Sequence, residues 1–560
     1  MSTIDWRNRF GWNWISSVRN QGGCESCWAF GMTALYEAMV RIEQCVWCRR
    51  SEADIRNGVG KQCWDLGNLG EAATFAQTYG IADPDCFPYT EAAAIYSAEE
   101  GHGAVPISPT PDRSGRSLRV PAAVTISDAA QKKQWIDAVG PMALMFSPPL
   151  DFDSYGGGVY TPTTSVVGGA HCLLVVGFND SAPQPYWIVK NSWGTGWGMG
   201  GFGYIAYSAN LLEPLGFVGV RDVNPDPWTK RRVRNGAMLE SGNGAAHNNF
   251  ELFVQIGPTL EHWWRENSNP TLPWNRVGVV RCKDPWRDTF HDDAVDCPVV
   301  VQSTFNRNYE LLYRTTNGGT GDGRVRHVYY DQSSGDWLDA TTFGPPDPLG
   351  VAGLVQSTRG APGDFEAIIL RQNSVLEHWA KHNSWPWTHP PGTWYFKGQV
   401  DGGLAFAGAA LVQSRLGVTG VLESGQGELH YAATGFRGEI CHYRLSSGST
   451  SWQLINVFGS GFTSAPCMIE GQFGAESELD AGNLELCVTA NGKIQHWYRD
   501  NRTLGPWIQT AVFGQDASRV VSLLEGSFGF NLELIVETMS GHYQHYWRDG
   551  AGWHQGVVIV

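Results

Sequence analysis

The sequence is poor in charge and has no long apolar run. Charged residues make up 17% of the 560 residues, below the roughly 25% of an average soluble domain. Acidic residues outnumber basic ones by 55 to 40, giving a net charge of −15, which argues against nucleic acid as a partner. No stretch approaches 18 consecutive apolar residues, so the sequence predicts no membrane span.

Glycine and tryptophan are abundant instead, with 68 and 25 copies. Glycine favours tight turns and aromatic residues favour strands, so this composition is typical of many short strands. The chain is too long for one hydrophobic core, and about three to four domain-sized units are expected.

One cysteine lies in a setting that favours reactivity. Residues 21–30 read QGGCESCWAF, which places Cys27 after a glycine-bearing turn and at the start of an apolar-periodic helix. Backbone N–H groups and the helix dipole stabilise a thiolate there. Two later strings, GGAHCLLVVGF and YWIVKNSWGTGWG, contain His171 and Asn191, 144 and 164 residues after Cys27.

These strings, in this order, resemble the papain-like cysteine proteases. The resemblance implies an α+β, two-lobed protease domain over residues 1–222. Cys27 is then the nucleophile, His171 its partner in a thiolate–imidazolium pair, and Asn191 the group that orients the imidazole. Gln21 donates to the oxyanion. The implied substrate-binding residues are Glu25, Gly67, Asn68, Leu69, Ala170 and Trp193, the last of which also shields the Asn191–His171 bond from water.

Two departures from the family pattern concern the substrate. Glu25 stands where the family usually has glycine, beside the pocket for the residue just before the scissile bond. Two interpretations are open, a preference for Arg or Lys at that position or a carboxylate that points into solvent. The string Cys63-Trp64-Asp65-Leu66-Gly67 is one residue longer than its family counterpart and has one glycine fewer, which weakens the assignment of Gly67 and its neighbours.

The cysteines favour an oxidising compartment. The resemblance implies a Cys24–Cys63 disulfide, while a second family bridge is missing and is expected to be replaced by Cys86 with Cys45 or Cys48. Cys282 and Cys297 bracket a loop and are predicted to pair, and Cys467 could pair with Cys487. Cys172 and Cys441 are predicted to be buried thiols. Cys45 and Cys48 lack a second ligand pair for zinc, so no metal and no cofactor are expected.

A second part of the chain is repetitive. After a predicted linker at 223–235, residues 236–560 repeat a Glu-bearing strand, a His-bearing strand and a tryptophan. The glutamates are Glu251, Glu310, Glu366, Glu428, Glu485 and Glu533; the histidines are His262, His327, His378, His442, His496 and His545; the tryptophans are Trp274, Trp337, Trp387, Trp452, Trp507 and Trp553. Each unit holds about four short strands, which predicts an all-β propeller of six blades, with seven still open.

Three hypotheses explain the repeated residues. The first is structural, with buried Glu–His hydrogen bonds within blades and aromatic packing between them. The second is sugar binding, because the repeats loosely resemble bacterial and fungal propeller lectins. Its candidate ligand residues are Trp263, Arg265, Trp497, Arg499, Tyr546 and Arg548. The third is a docking surface for a protein substrate.

Together these patterns predict a secreted or extracellular cysteine endopeptidase whose propeller recognises a glycan or a protein substrate. Only four residues precede Asp5, so neither a signal peptide nor the family's inhibitory pro-segment is expected in this chain. One alternative is a non-catalytic or self-blocked glycan-binding protein that uses the protease fold as a scaffold. Another is a different Cys–His hydrolase that acts on cell-wall peptide bridges.

Overall fold

A computed structural model describes residues 2–89, 109–242, 248–283, 290–291, 294–315, 324–346, 348–359, 363–383, 392–423, 425–527 and 529–560. The chain forms two compact units. The first contains Met1–Asp226 and Glu476–Leu479; the second contains Pro227–Ala475 and Asp480–Val560. Their boundary lies within the stretch expected to be a linker. That stretch is largely buried, with Asp226 and Trp228 almost inaccessible to solvent.

Among its described residues the first unit contains four helices, and the first begins at Cys27 as the sequence predicts. They are α1 Cys27–Gln44, α2 Glu52–Val59, α3 Leu69–Tyr79 and α4 Ala129–Ala138. Side chains cap three of them, because Ser51, Asn68 and Asp128 each accept a hydrogen bond from a first-turn N–H group.

An eight-stranded sheet forms the other half of this unit. Its strand order is β4-β10-β5-β7-β8-β9-β6, and β1 also pairs with β7. A separate two-stranded sheet joins β2 and β3. The strands are β1 Thr3–Asp5, β2 Ile81–Ala82, β3 Ser117–Leu118, β4 Val124–Ile126, β5 Met142–Phe146, β6 Val159–Tyr160, β7 His171–Asn179, β8 Tyr186–Lys190, β9 Phe202–Ala206 and β10 Phe217–Gly219.

The second unit is a six-bladed β-propeller. Blade 1 contains β12 Met238–Glu240, β13 Phe250–Ile256, β14 Thr259–Arg265 and β15 Trp274–Val279. Blade 2 contains β18 Val299–Gln302, β19 Tyr309–Arg314, β20 Val325–Asp331 and β21 Asp336–Phe343, with the short β16 Cys282–Lys283 and β17 Phe290–His291 beside β21. Blade 3 begins with β22 Pro348–Gln356, β23 Phe365–Arg371 and β24 Val375–Lys381.

The strand β25 Trp394–Ser414 belongs to two blades, since it pairs with β24 over its first half and with β26 over its second. It therefore completes blade 3 and opens blade 4. Blade 4 continues with β26 Glu428–Gly435, β27 Ile440–Leu445 and β28 Gln453–Phe458. Blade 5 contains β29 Cys467–Glu470, β30 Leu484–Ala490, β31 Lys493–Arg499 and β32 Ile508–Phe513, and blade 6 contains β33 Ala517–Glu525, β34 Leu532–Thr538, β35 Tyr543–Asp549 and β36 Gly552–Val558.

Apolar clusters between neighbouring blades close the ring. One cluster joins each adjacent pair, including blades 6 and 1, where Leu252 and Val254 pack with Leu524 and Ile535. The chain also crosses this last junction. Strand β11 Arg234–Gly236 pairs with β33 of blade 6. Strand β12 begins after a single intervening residue and pairs with β13 of blade 1.

The repeated residues are structural. Glutamate and histidine side chains hydrogen-bond within five blades, at 2.6–2.8 Å between carboxylate oxygen and Nε2. The ring of each blade's histidine also contacts a tryptophan of the next blade. The contacts are His262–Trp337, His327–Trp394, His378–Trp452, His442–Trp507, His496–Trp553 and His545–Trp274. These contacts confirm the first of the three hypotheses.

One member of the repeat, Glu428, was assigned wrongly from the sequence. In blade 4 the cross-strand partner of His442 is Ala432, so the residue two positions earlier, His430, takes the place assigned to Glu428. His430 Nδ1 lies 3.0 Å from His442 Nε2. The tryptophan that contacts His327 is Trp394, whereas Trp387 lies outside the described residues.

Several predicted disulfides are absent. Cys282 and Cys297 are free thiols, because Cys282 packs between blades 1 and 2 while Cys297 contacts Tyr543 of blade 6. Cys86 is also free and accepts a hydrogen bond from Thr110 Oγ1 at 3.1 Å, so neither replacement bridge forms. Cys467 lies opposite Cys487 without bonding to it. Cys172 is buried as expected, whereas Cys441 is only partly buried.

Candidate active site

Cys27 lies at the first position of α1 and is almost fully buried. The preceding residue, Ser26, makes no side-chain cap, so it does not compete for the N–H groups of the first turn. The backbone N–H of Cys172 also donates to the Cys27 sulfur. The thiol therefore lies among several backbone donors, which favour negative charge on sulfur.

A glycine sets the distance between α1 and β7. Gly31 lies about one turn after Cys27, and a Cβ atom built on it would be 2.2 Å from the Cys172 sulfur. Only glycine leaves room for this approach. It brings the start of α1 against the start of β7, where His171 precedes Cys172.

His171 and Asn191 are in direct contact. His171 Nε2 lies 2.7 Å from Asn191 Oδ1, and both residues are buried. Because the amide oxygen can only accept, the hydrogen lies on Nε2 and Nδ1 of a neutral imidazole is left as an acceptor. The Trp193 ring stacks on the imidazole, with the centroids 4.3 Å apart, so it covers one face of the ring.

Gln21 is held by the residue that follows Asn191. Ser192 Oγ donates to Gln21 Oε1 at 2.6 Å, and the Gln21 backbone N–H donates to the Ser192 carbonyl at 2.8 Å. The Ser192 N–H donates to Asn191 Oδ1 at 2.7 Å. Gln21 Nε2 donates one hydrogen to the Cys24 carbonyl, which leaves its second hydrogen for a ligand.

Burial moves the pKa values of the two central groups in opposite directions. It raises the pKa of the Cys27 thiol to about 11 and lowers the pKa of the His171 imidazole to about 4. Desolvation thus favours a neutral thiol beside a neutral imidazole, against the ion pair implied by the resemblance. The neutral pair and the thiolate–imidazolium pair contain the same number of protons. The balance between them therefore does not depend on pH.

An open pocket adjoins these residues. Its volume is about 310 Å³, and its lining contains Gln21, Gly22, Gly23, Cys24, Glu25, Pro148, Pro149, Leu150, Asp153, Gly168, Gly169, Ala170, His171 and Trp193. Five residues predicted from the sequence are therefore brought together here. Cys27 itself lies beneath the surface at the helix start.

Gly67, Asn68 and Leu69 do not line this pocket. Gly67 packs against the Trp28 indole, where a Cβ atom would come within 2.3 Å of the ring. Asn68 caps α3 in a reciprocal arrangement with Glu71, and Leu69 is buried at the start of that helix. The structure gives these three residues local structural roles.

The loop before Cys27 is fixed covalently and by backbone bonds. A disulfide joins Cys24 to Cys63, as the resemblance implied. The Glu25 N–H donates to the Cys63 carbonyl at 2.7 Å, and the Trp28 indole N–H donates to the Glu25 carbonyl. Glu25 is therefore exposed on a rigid support.

No metal or membrane feature accompanies the site. Within the described residues, no group of three or more His, Cys, Asp or Glu side chains is placed to hold a metal ion. In the same part of the chain, no helix is long and apolar enough to cross a membrane.

The propeller's candidate ligand residues do not converge on one site. Arg265, Arg499 and Tyr546 are buried: Arg265 lies over the Phe250 ring, Arg499 donates to the Gly505 carbonyl, and Tyr546 packs between blades 5 and 6. The others are partly exposed, namely Trp263, Trp497 and Arg548.

Sequence reasoning missed Ser192, Asp153 and Gly31. Ser192 stands between Asn191 and Trp193, and its position in that string was a usable signal. Gly31 was detectable as well, because a glycine within a helix costs about 1 kcal/mol and needs a reason such as close packing. Asp153 carries no signal, because only the folded chain brings it to the pocket.

Comparisons with known proteins agree with this geometry. Residues 1–217 match the family described as Papain family cysteine protease. Pro-cathepsin H of Bos taurus is 27% identical over 224 residues, which cover 37% of this chain and 61% of that protein. Zingipain-2 of Zingiber officinale is 29% identical over 237 residues, which cover 39% of this chain and 92% of that protein.

A solved structure also aligns. Bromelain from Ananas comosus in complex with the E64 inhibitor has 22% identity and a TM-score of 0.33, over 40% of this chain and 99% of that chain. The chain spans only 58–61% of the length of the cathepsin relatives that it matches. Residues 1–217 form a papain-family cysteine protease domain, which a six-bladed β-propeller follows in the same chain.

Proposed function

We propose that this protein is a cysteine endopeptidase that hydrolyses peptide bonds in protein or peptide substrates. The observation that carries the proposal is the arrangement of Cys27 at the start of α1, with His171 held by Asn191 at 2.7 Å. A nucleophile, a base and an orienting group in this order are sufficient for acyl transfer.

In the first step the Cys27 proton passes to His171 as sulfur attacks the scissile carbonyl. The oxyanion accepts hydrogen bonds from the Cys27 N–H and the second amide hydrogen of Gln21. His171 then gives its proton to the leaving amine, and an acyl-enzyme remains on Cys27. Water, deprotonated by His171, releases the acid and restores the thiol.

Labelling by a thiol-directed epoxide tests the proposal. The intact protein should be modified once, at Cys27, and should lose peptidase activity in parallel. A Cys27→Ala variant should neither react nor cleave, while a Cys172→Ala variant should still react, because Cys172 is the buried neighbouring thiol. An unlabelled, inactive protein would favour the alternative, a non-catalytic or self-blocked protein that uses the protease fold as a scaffold.

Glu25 supports a preference for Arg or Lys just before the scissile bond. Its exposed carboxylate lines the pocket two residues from Cys27, and it has no hydrogen bond or ion pair to any described residue. A fluorogenic peptide panel should show this preference, and Glu25→Gln should abolish it. Equal rates for all side chains at that position would mean that the carboxylate only faces solvent.

For the propeller we propose a role in recognition, with a glycan as the first ligand to test. Support is limited to Trp263, Trp497 and Arg548, whose partly exposed groups suit sugar stacking and hydrogen bonding. The full chain carrying Cys27→Ala should bind a glycan array, and Trp497→Ala should weaken that binding. If the protein binds no glycan on the array, docking of a protein substrate remains as the recognition role.

We also propose that the protein works outside the cell or in another oxidising compartment. The Cys24–Cys63 disulfide supports this, because disulfides persist where thiols are not kept reduced. Mass spectrometry of the protein isolated without reductant should find the bridge intact. A reduced pair in freshly isolated protein would contradict the proposal.

A further inference from the structure

Among the described residues, the pocket beside the Cys27 loop is lined by two carboxylates and by no lysine or arginine. Glu25 and Asp153 are the acidic residues of this described lining, and burial lowers the pKa of His171, its one histidine, to about 4. Both acids are exposed, and neither carboxylate has a hydrogen bond or ion pair to a described residue. Two unpaired negative charges in a substrate pocket attract cationic side chains.

Asp153 lines the pocket from a different part of the chain than the Cys27 loop. It lies on the short 3₁₀ helix Leu150–Ser154, whose central residue Phe152 is fully buried. The Phe152 ring contacts both Trp193 and Trp197, with centroids 5.9 and 5.0 Å apart. Since Trp193 stacks on His171, this packing fixes Asp153 relative to the catalytic imidazole.

The chemistry assigns a substrate position to each wall. His171 must reach the leaving amine to protonate it, so the part of the substrate after the scissile bond lies along the wall that carries His171. Asp153 lies on that wall. Glu25 lies on the Cys27 loop, beside the part of the substrate that becomes the acyl group.

We propose that Asp153 selects a basic residue directly after the scissile bond and that, together with Glu25, it directs the enzyme to bonds between two basic residues. This inference rests on the proposed peptidase function. It adds the substrate class: exposed Arg/Lys pairs in extended segments of protein chains.

Four internally quenched peptides test the proposal, identical except for Arg-Arg, Arg-Ala, Ala-Arg or Ala-Ala at the cleavage point. Arg-Arg should be cleaved with the highest kcat/KM. Asp153→Asn should lower kcat/KM about 10- to 100-fold for the two peptides with Arg after the bond, the range for a lost charge-assisted contact. It should leave Arg-Ala and Ala-Ala unchanged, and Glu25→Gln should show the converse pattern.

Two variants serve as controls. Ser154→Ala changes the next residue of the same turn and should leave the preference intact. Asp153→Lys should reverse it, so that a peptide with Glu after the bond becomes better than the one with Arg.

The outcomes separate this inference from the proposed function. Cleavage of all four peptides at equal rates would overturn the dibasic preference and leave the peptidase intact. An equal loss on every peptide in Asp153→Asn would show that Asp153 only supports the fold. No cleavage and no epoxide labelling would overturn the peptidase function and this inference with it.

Discussion

Buried histidines occur in both units, and in each unit Nε2 lies against a side-chain oxygen. In the protease domain the partner of His171 is the neutral amide of Asn191. In five propeller blades the partner is a glutamate carboxylate, at the same 2.6–2.8 Å. In blades 2 and 5 Nδ1 of the same histidine also accepts a hydrogen bond from a tryptophan N–H of the next blade, and His442 Nδ1 of blade 4 accepts one in the same way.

The difference separates a histidine that reacts from one that holds a fold together. A carboxylate stabilises imidazolium, whereas an amide orients the ring without adding charge. Within the described residues, His171 has a partner only at Nε2, which leaves Nδ1 available to exchange a proton. A propeller histidine with both nitrogens bonded can serve only as a link between strands and blades.

Replacing each kind of histidine by alanine should give the largest contrast. His171→Ala should lower kcat/KM about 10²- to 10⁴-fold, the usual contribution of an acid–base group. It should cost less stability than His378→Ala, because Asn191 Oδ1 keeps the hydrogen bond from the Ser192 N–H. His378→Ala should leave kcat/KM unchanged and cost about 1–3 kcal/mol of stability, because the buried Glu366 loses the partner of Oε2 and keeps only Lys397 at Oε1. Peptide hydrolysis and chemical denaturation measure the two effects.

A loss of activity in His378→Ala without unfolding would contradict the distinction between a catalytic histidine and structural histidines. So would a large loss of stability in His171→Ala, because it would show that the catalytic histidine also carries the fold.

Asn191→Asp should make the protease histidine resemble those of the propeller. In the native protein kcat/KM should fall as the pH drops through about 4, where His171 takes up a second proton and no base remains. The introduced carboxylate stabilises imidazolium, so the acidic limb should move up by at least about one pH unit, or 1.4 kcal/mol. A pH–rate profile with an unmoved acidic limb would show that the partner's charge does not control His171.

His430→Glu should give blade 4 the glutamate–histidine pair that the other five blades have. Trp507 donates to His442 Nδ1, so His442 Nε2 carries the hydrogen that His430 Nδ1 accepts. Burial lowers the pKa of both histidines, with Glu428, Arg444 and Arg499 as the charged groups nearby. The folded state then binds fewer protons than the unfolded chain below pH 6.5, so stability falls as the pH drops below that value.

The slope is about 1.4 kcal/mol per pH unit for each histidine until its folded pKa is reached. Denaturation of the full chain carrying Cys27→Ala at pH 7 and pH 5 should show a smaller acid loss with His430→Glu. Parallel losses in the two proteins would mean that this pair does not sense pH.

Much of the fold could be predicted from local strings. The start of α1 at Cys27 follows from the glycine-bearing turn before it and the apolar periodicity after it. The histidine strands of all six blades were visible because their motif recurs with little change. Cys27, His171 and Asn191 were predictable because the strings around them resemble those of the papain-like proteases.

The failures concern pairings that depend on register or on distant contacts. Glu428 resembles the other glutamates locally, but the pairing of Ala432 with His442 places His430 at the repeat position. Cys282 and Cys297 are close in sequence but face different blade junctions. Asp153 is far from Cys27 in sequence and lines the pocket from a turn whose Phe152 packs against Trp193.

The pairing of β11 with β33 has a consequence for the order of synthesis. Arg234–Gly236 is made early, yet its partner Ala517–Glu525 follows some 280 residues later. At about 5–20 residues per second, β11 must wait on the order of 15–60 s for its sheet on the ribosome. The ring therefore cannot close before blade 6 has been synthesised. A ribosome that stalls within blade 6 would leave the ring open, with β11 exposed to other chains.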